Sequence, residues 1–189
     1  MYSLAMMQNN EVEKQVATIK NAEAISVPEM NIDKVIAKEI YKKIKQRKNK
    51  YTEQIANFVN NTFNKILGHK GFDIRIILIL AEAYENAIYM YDEPVNNMHK
   101  KHTNFTGYSN YVAKISIKEQ PIYARFTLEN LKTKPGKEKV SQFHSVHLSY
   151  EVKNNATQPC VNSAIITTAT WGVNGTTDLK LLQWLNSVK

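Results

Sequence analysis

The apolar positions of this chain change period once, near Pro94: before it they recur at helical spacing, after it they alternate. Val12, Val16 and Ile19 allow a loose amphipathic helix ending before Pro28, so residues 1–30 are expected to be a polar arm or linker. Asn31 suits an N-cap and Asp33 a first helical turn; a helix is expected from there to about Arg47. Ile32, Val35, Ile36, Ile40 and Ile44 form its apolar stripe. Lys34, Lys38, Lys42, Lys45 and Lys48 line the opposite face, either as a solvated surface or as a nucleic-acid footprint. A second helix, capped by Thr52 and closed by Gly68, would bury Ile55, Phe58, Val59, Thr62, Phe63, Ile66 and Leu67. Apolar residues on nearly all sides from Ile74 to Ile88 predict a central buried helix over about Asp73 to Tyr91.

Beyond Pro94 the alternation predicts strands at Tyr108–Ile117, Pro121–Glu129 and Phe143–Val152, with a Thr- and Ile-rich strand at Val161–Thr170. Thr177 would cap a short last helix whose Leu179, Leu182, Trp184 and Leu185 are mostly core. Helices, then sheet, then helix reads as α+β: N-terminal helices packed on a C-terminal antiparallel sheet of about four strands, closed by a short C-terminal helix. Residues 31–189 are expected to form a single domain, helical over 31–93 and sheet over 104–189.

Charge narrows the partners. The formal net charge is +8, which favours RNA, DNA or another anionic surface and is silent on fold. Cys160 is the single cysteine and excludes an intrachain disulfide or a Cys-based metal site. The start Met1-Tyr2-Ser3-Leu4-Ala5-Met6-Met7 has no signal-peptide pattern, so a cytoplasmic location, or delivery into a target-cell cytoplasm, is expected. Ile74–Ala83 is too short and too charged at its flanks, at Arg75 and Glu82, to span a bilayer.

Candidate chemistry concentrates between Met98 and Glu151, where His99, His102, Arg125, His144 and His147 fall on or beside the expected sheet. Histidine moves protons near neutral pH, and arginine binds phosphate and stabilises a pentacovalent transition state. On the second strand Tyr123, Arg125 and Thr127 share the polar face. On the third, Val146, Leu148 and Tyr150 make the apolar set, which turns Ser145 and His147 outward and His144 toward the core. The pairs His99/His102 and His144/His147 lack an acidic partner at a supportive spacing, and two residues three apart on a regular strand point to opposite faces. No metal or cofactor is expected. Lys100, Lys101, Lys132, Lys134 and Lys137 are candidate phosphate contacts, while Tyr108 and Tyr123 either stack bases or pack the sheet. No Gly-rich phosphate loop is present.

Four blocks carry a family likeness: Glu85-Asn86-Ala87-Ile88-Tyr89, a basic His-containing loop, the hairpin Tyr111–Ile115 to Tyr123–Thr127, and Phe143-His144-Ser145-Val146-His147-Leu148. In this order they resemble the phage barnase–EndoU–colicin–RelE-like nucleases and related modules of large polyvalent proteins from phages and conjugative elements. The resemblance covers roughly Asn57 to Lys153. It implies metal-independent RNA cleavage on the open face of the sheet. Arg125 would be the basic residue, Thr127 a phosphate contact, His144 or His147 the acid or base, and His99 or His102 the second proton-transfer group. Thr167, Thr168 and Thr170 stand, by position only, where such nucleases carry a late catalytic residue.

The function expected is therefore a ribonuclease toxin or effector domain acting on RNA, with a cognate immunity or antitoxin protein and a parent polypeptide as possible partners and no membrane. The alternative is a non-catalytic nucleic-acid or protein binding module of the same fold.

Overall fold

A computed structural model describes residues 3–69, 72–95, 104–152, 167–170 and 178–187. The elements, in chain order, are α1 (Ser3–Asn21), β1 (Ile25–Ser26), α2 (Lys34–Ile44), β2 (Gln46–Lys48), β3 (Ile55–Asn57), α3 (Asn60–Leu67), a 3-10 turn (Ile74–Leu78), α4 (Leu80–Glu85), β4 (Ile88–Pro94), β5 (Phe105–Ile117), β6 (Gln120–Leu131), β7 (Val140–Val152), β8 (Thr167–Thr170) and α5 (Leu179–Leu185).

The three long strands β5, β6 and β7 form the expected antiparallel meander. The β5–β6 turn places Lys118 and Glu119 at φ 49° and 63°, the twist a two-residue hairpin needs. The expectation of helices on a four-strand antiparallel sheet is overturned. The sheet is mixed and strongly curled, it dominates the molecule, and its order is β1-β5-β6-β7-β3-β2. β1 joins β5 in parallel and β3 joins β7 in parallel, while β4 runs antiparallel to β5 and β8 antiparallel to β7. β1, β2, β3 and β4 come from stretches read as linker or helix, whereas β8 falls within the expected Val161–Thr170 strand.

Two of the misread stretches have clear physical causes. Residues 73–91 are apolar on all sides because they supply a strand as well as helical turns. Met90 and Ile88 pack on one side of the sheet and Tyr89 on the other. An all-round apolar run fits a buried strand as well as a buried helix. Thr52 caps no helix. It belongs to a turn organised by fully buried Asn49, whose Oδ1 accepts from the Tyr51 and Thr52 amides at 3.1 and 3.0 Å and whose Nδ2 donates to the Tyr84 and Ala87 carbonyls. That turn directs Ile55–Asn57 into the sheet and delays the helix to Asn60. In α2 the N-cap is Asp33, which accepts from the Ile36 amide, and Ala37, Tyr41 and Ile44 make the buried face. Val35 and Ile36 of the expected stripe stay exposed.

Both sides of the sheet are covered. On one side α2, α3, the 3-10 turn and α4 bury Tyr41, Phe63, Ile66, Leu80 and Tyr84 against Tyr111, Phe126, Phe143 and Val146. On the other, Val16 and Ile19 of α1 and Leu181, Trp184 and Leu185 of α5 cover Ile88, Met90, Val112 and Tyr123. At its edge this second cover reaches Arg125, the cross-strand partner of His147, through Asp178 at the start of α5.

Candidate functional site

The site is made by one irregularity. Along β6 and β7, Thr127 is paired with Ser145 but Leu128 with Phe143, so β7 carries one extra residue there, His144. This β-bulge keeps Phe143 and Val146 both in the core although they are three apart. It also brings His144 to the outer side with Ser145 and His147, which corrects the expectation that His144 lies toward the core. The bulge falls where the far edge of β7 has no strand beside it among the described residues, between the part paired with β3 and the part paired with β8. α3 lies along that gap, and Thr62 Oγ1 donates to the Phe143 carbonyl at 2.9 Å. The C-terminal end of α3 thereby delivers Lys65 and His69 to the histidines of β7.

His144 is held by Glu129 and Lys65. Its Nδ1 is 2.5 Å from Glu129 Oε1 and its Nε2 is 2.6 Å from Lys65 Nζ. Both contacts are hydrogen bonds when Nδ1 carries the proton and donates to Glu129 while Nε2 accepts from Lys65. Tyr108 lies against the ring, with centroids 5.4 Å apart. Partial desolvation lowers the pKa of the Lys65 ammonium, against the pull of Glu129.

His147 is the cross-strand partner of Arg125, meets His69 edge to face at 5.2 Å, and has Nε2 3.4 Å from Ser145 Oγ. Burial first, then the Arg125 charge, lower its pKa to about 4; Asp178 opposes this, and His69 and His144 add to it. His69 is shifted down as well, by burial, Lys65 and His144, and its Nε2 is buried without a hydrogen-bond partner. The folded protein therefore binds fewer protons than the unfolded chain between about pH 6.5 and 4. The stability this gives is complete above pH 6.5 and is lost as the pH falls toward 4, by roughly 2–3 kcal/mol for His147. Urea unfolding at pH 7 and pH 4.5 should show this loss, and H147Q should flatten it; equal slopes in both proteins would mean that His147 titrates normally.

Arg125 is not open to solvent. At 7% exposure it donates from Nε to Asp178 Oδ2 at 2.7 Å and from Nη1 to Asn110 Oδ1 at 2.9 Å and Thr127 Oγ1 at 3.1 Å. Asp178 also accepts from the Leu181 amide in the first turn of α5, in the manner of an N-cap. Arg125 and Thr127 thus fasten the last helix to the sheet beside His147.

The other candidates scatter. Tyr123 is 2% exposed under α1 and α5, a core residue with no free face for a base. Lys132, Lys134 and Lys137 are exposed at the β6–β7 turn, at the His144 end of the sheet. His99, Lys100, Lys101 and His102 lie outside the described residues. Thr167, Thr168 and Thr170 are in β8, paired with Val152, Glu151 and Ser149.

No protein-family model, curated protein or solved structure matches this chain. Among the described residues no helix is long and apolar enough to cross a membrane.

The chemistry of the site then rests on its own groups. A neutral, half-buried imidazole (His147) can accept a proton. A carboxylate–imidazole–ammonium chain (Glu129, His144, Lys65) can deliver one and place positive charge beside it. Sequence reasoning passed over Lys65, His69, Asn110 and Asp178. The four-residue spacing of Lys65 and His69 at the end of a helix was the available signal for that pair.

Proposed function

We propose that this chain is a metal-independent ribonuclease, with His147 and the Glu129–His144–Lys65 chain as its base and acid. The observation that carries the reading is the bulge at His144, which turns His144 to the same side of the sheet as His147, within hydrogen-bond reach of Lys65. In the reaction, neutral His147 takes the proton of a ribose 2′-hydroxyl as that oxygen attacks the adjacent phosphorus. The P–O5′ bond breaks, and the 5′ oxygen takes a proton from Lys65 or from His144. Lys65 also faces the charge that develops on the phosphorane oxygens. Tyr108, at the edge of His144, offers a surface for a neighbouring base. A cytoplasmic toxin or effector domain, restrained by an immunity protein, is the setting that such an activity fits best.

The test is incubation of single-stranded RNA with the protein in EDTA. Products ending in a 2′,3′-cyclic phosphate are expected, with DNA of the same sequence left whole because it lacks the attacking hydroxyl. RNA bound but uncut would assign the same face to a non-catalytic binding module.

A further inference from the structure

A second cationic site lies at the other end of α3. The C-terminal turn of α2, β2 and the start of α3 border an open groove of about 840 Å³. Its polar and charged lining includes Lys42, Lys43, Lys45, Arg47, Asn57 and Asn60, and no acidic side chain lines it. Lys42 is paired with Glu39 and Arg47 with Glu85, whereas Lys43 and Lys45 have no ion pair among the described residues. The groove is held open by an unusual backbone. Lys45 has φ 53° and ψ −95°, and its carbonyl accepts the Phe58 amide at 2.6 Å, tying the end of α2 to the start of α3. The helix starts behind Val59, whose side chain makes no cap, so the donors of its first turn add positive potential at the groove floor.

We infer that this groove binds backbone phosphates of a single-stranded RNA whose cleaved bond lies at the histidine cluster. α3 has eight residues and spans about 12 Å. Its first turn borders the groove, and its last turn carries Lys65 at His144. One short rigid element thus fixes the distance between an anion-binding groove and the reacting groups, which suits a substrate that repeats a negative charge along its length. The identity of the strand as RNA and the position of its cleaved bond rest on the ribonuclease reading; binding of backbone phosphates in the groove does not.

The test is binding of a 2′-O-methyl RNA 12-mer, which cannot be cleaved, by fluorescence anisotropy across a salt series. The proteins are the wild type and a K43Q/K45G variant, glycine being chosen because it adopts a positive φ freely. Wild-type affinity should fall steeply with salt. The variant should bind more weakly, with a log–log slope shallower by about 1.4, at about 0.7 for each lost phosphate contact on a single strand. Circular dichroism confirms that the variant is folded. No binding by the wild type, or unchanged affinity and slope in the variant, overturns the inference. If the groove behaves as expected while RNA stays uncut in EDTA, the groove stands and the ribonuclease reading falls. If RNA is cut while the variant binds as tightly as the wild type, the reverse holds.

Discussion

RNA cleavage is expected to fall by about 10²–10⁴-fold when either His144 or His147 is replaced by glutamine. The double variant should lose much less than the product of the two losses. A base and an acid that act in one concerted transfer are coupled, so removing the second costs little once the first is gone. E129Q separates positioning from chemistry. Glutamine keeps the shape but can no longer hold the His144 Nδ1 proton as a carboxylate does, so the rate should drop less than in H144Q and the pH profile should move. Because burial holds His147 near pKa 4, the wild-type rate should persist through mildly acidic pH and decline only as that value is approached. Full activity in H144Q and H147Q, with both variants folded, would place the chemistry elsewhere on the molecule.

The long strands were legible because their apolar residues alternate without a break, as in Ile122, Ala124, Phe126 and Leu128. The bulge was not legible. Phe143, Val146 and Leu148 all face the core, but a period of two can accommodate Phe143 only by an extra residue, and either side of the slip would have looked regular. That single residue decides where His144 points. The short strands were hidden for a different reason. β1 and β3 hold two and three residues and form on the free backbone groups of the long strands β5 and β7, and three-residue β2 adds to β3. The helix at the start of the chain was foreseen, but its docking was not. Val16 and Ile19 are each 1% exposed, covering a side of the sheet that the expected fold left open. The partner of Arg125 is Asp178, 53 residues on. No local pattern announces a contact of that range.

That contact gives the second large effect. Asp178→Ala is expected to destabilise the fold by about 3–5 kcal/mol, because it strands a buried guanidinium and removes the bond to the Leu181 amide. For a chain of this size that is a fall in Tm of about 10 °C. Arg125→Ala should cost a similar amount by stranding the carboxylate, while R125M/D178L, which removes both charges, should recover most of the loss. Thermal unfolding of the wild type, R125M, D178L and R125M/D178L forms a double-mutant cycle, and additive losses would mean that the pair is not coupled. The same proteins separate two roles for Arg125. If R125M/D178L is stable and cuts RNA at the wild-type rate, Arg125 serves only to seat α5 beside His147. If it is stable but slow, the Arg125 charge also acts on the reaction, directly or through the depressed basicity of His147. A shift of its pH profile upward toward the ordinary histidine range then identifies the route through His147, since removing the adjacent cation eases protonation of that ring.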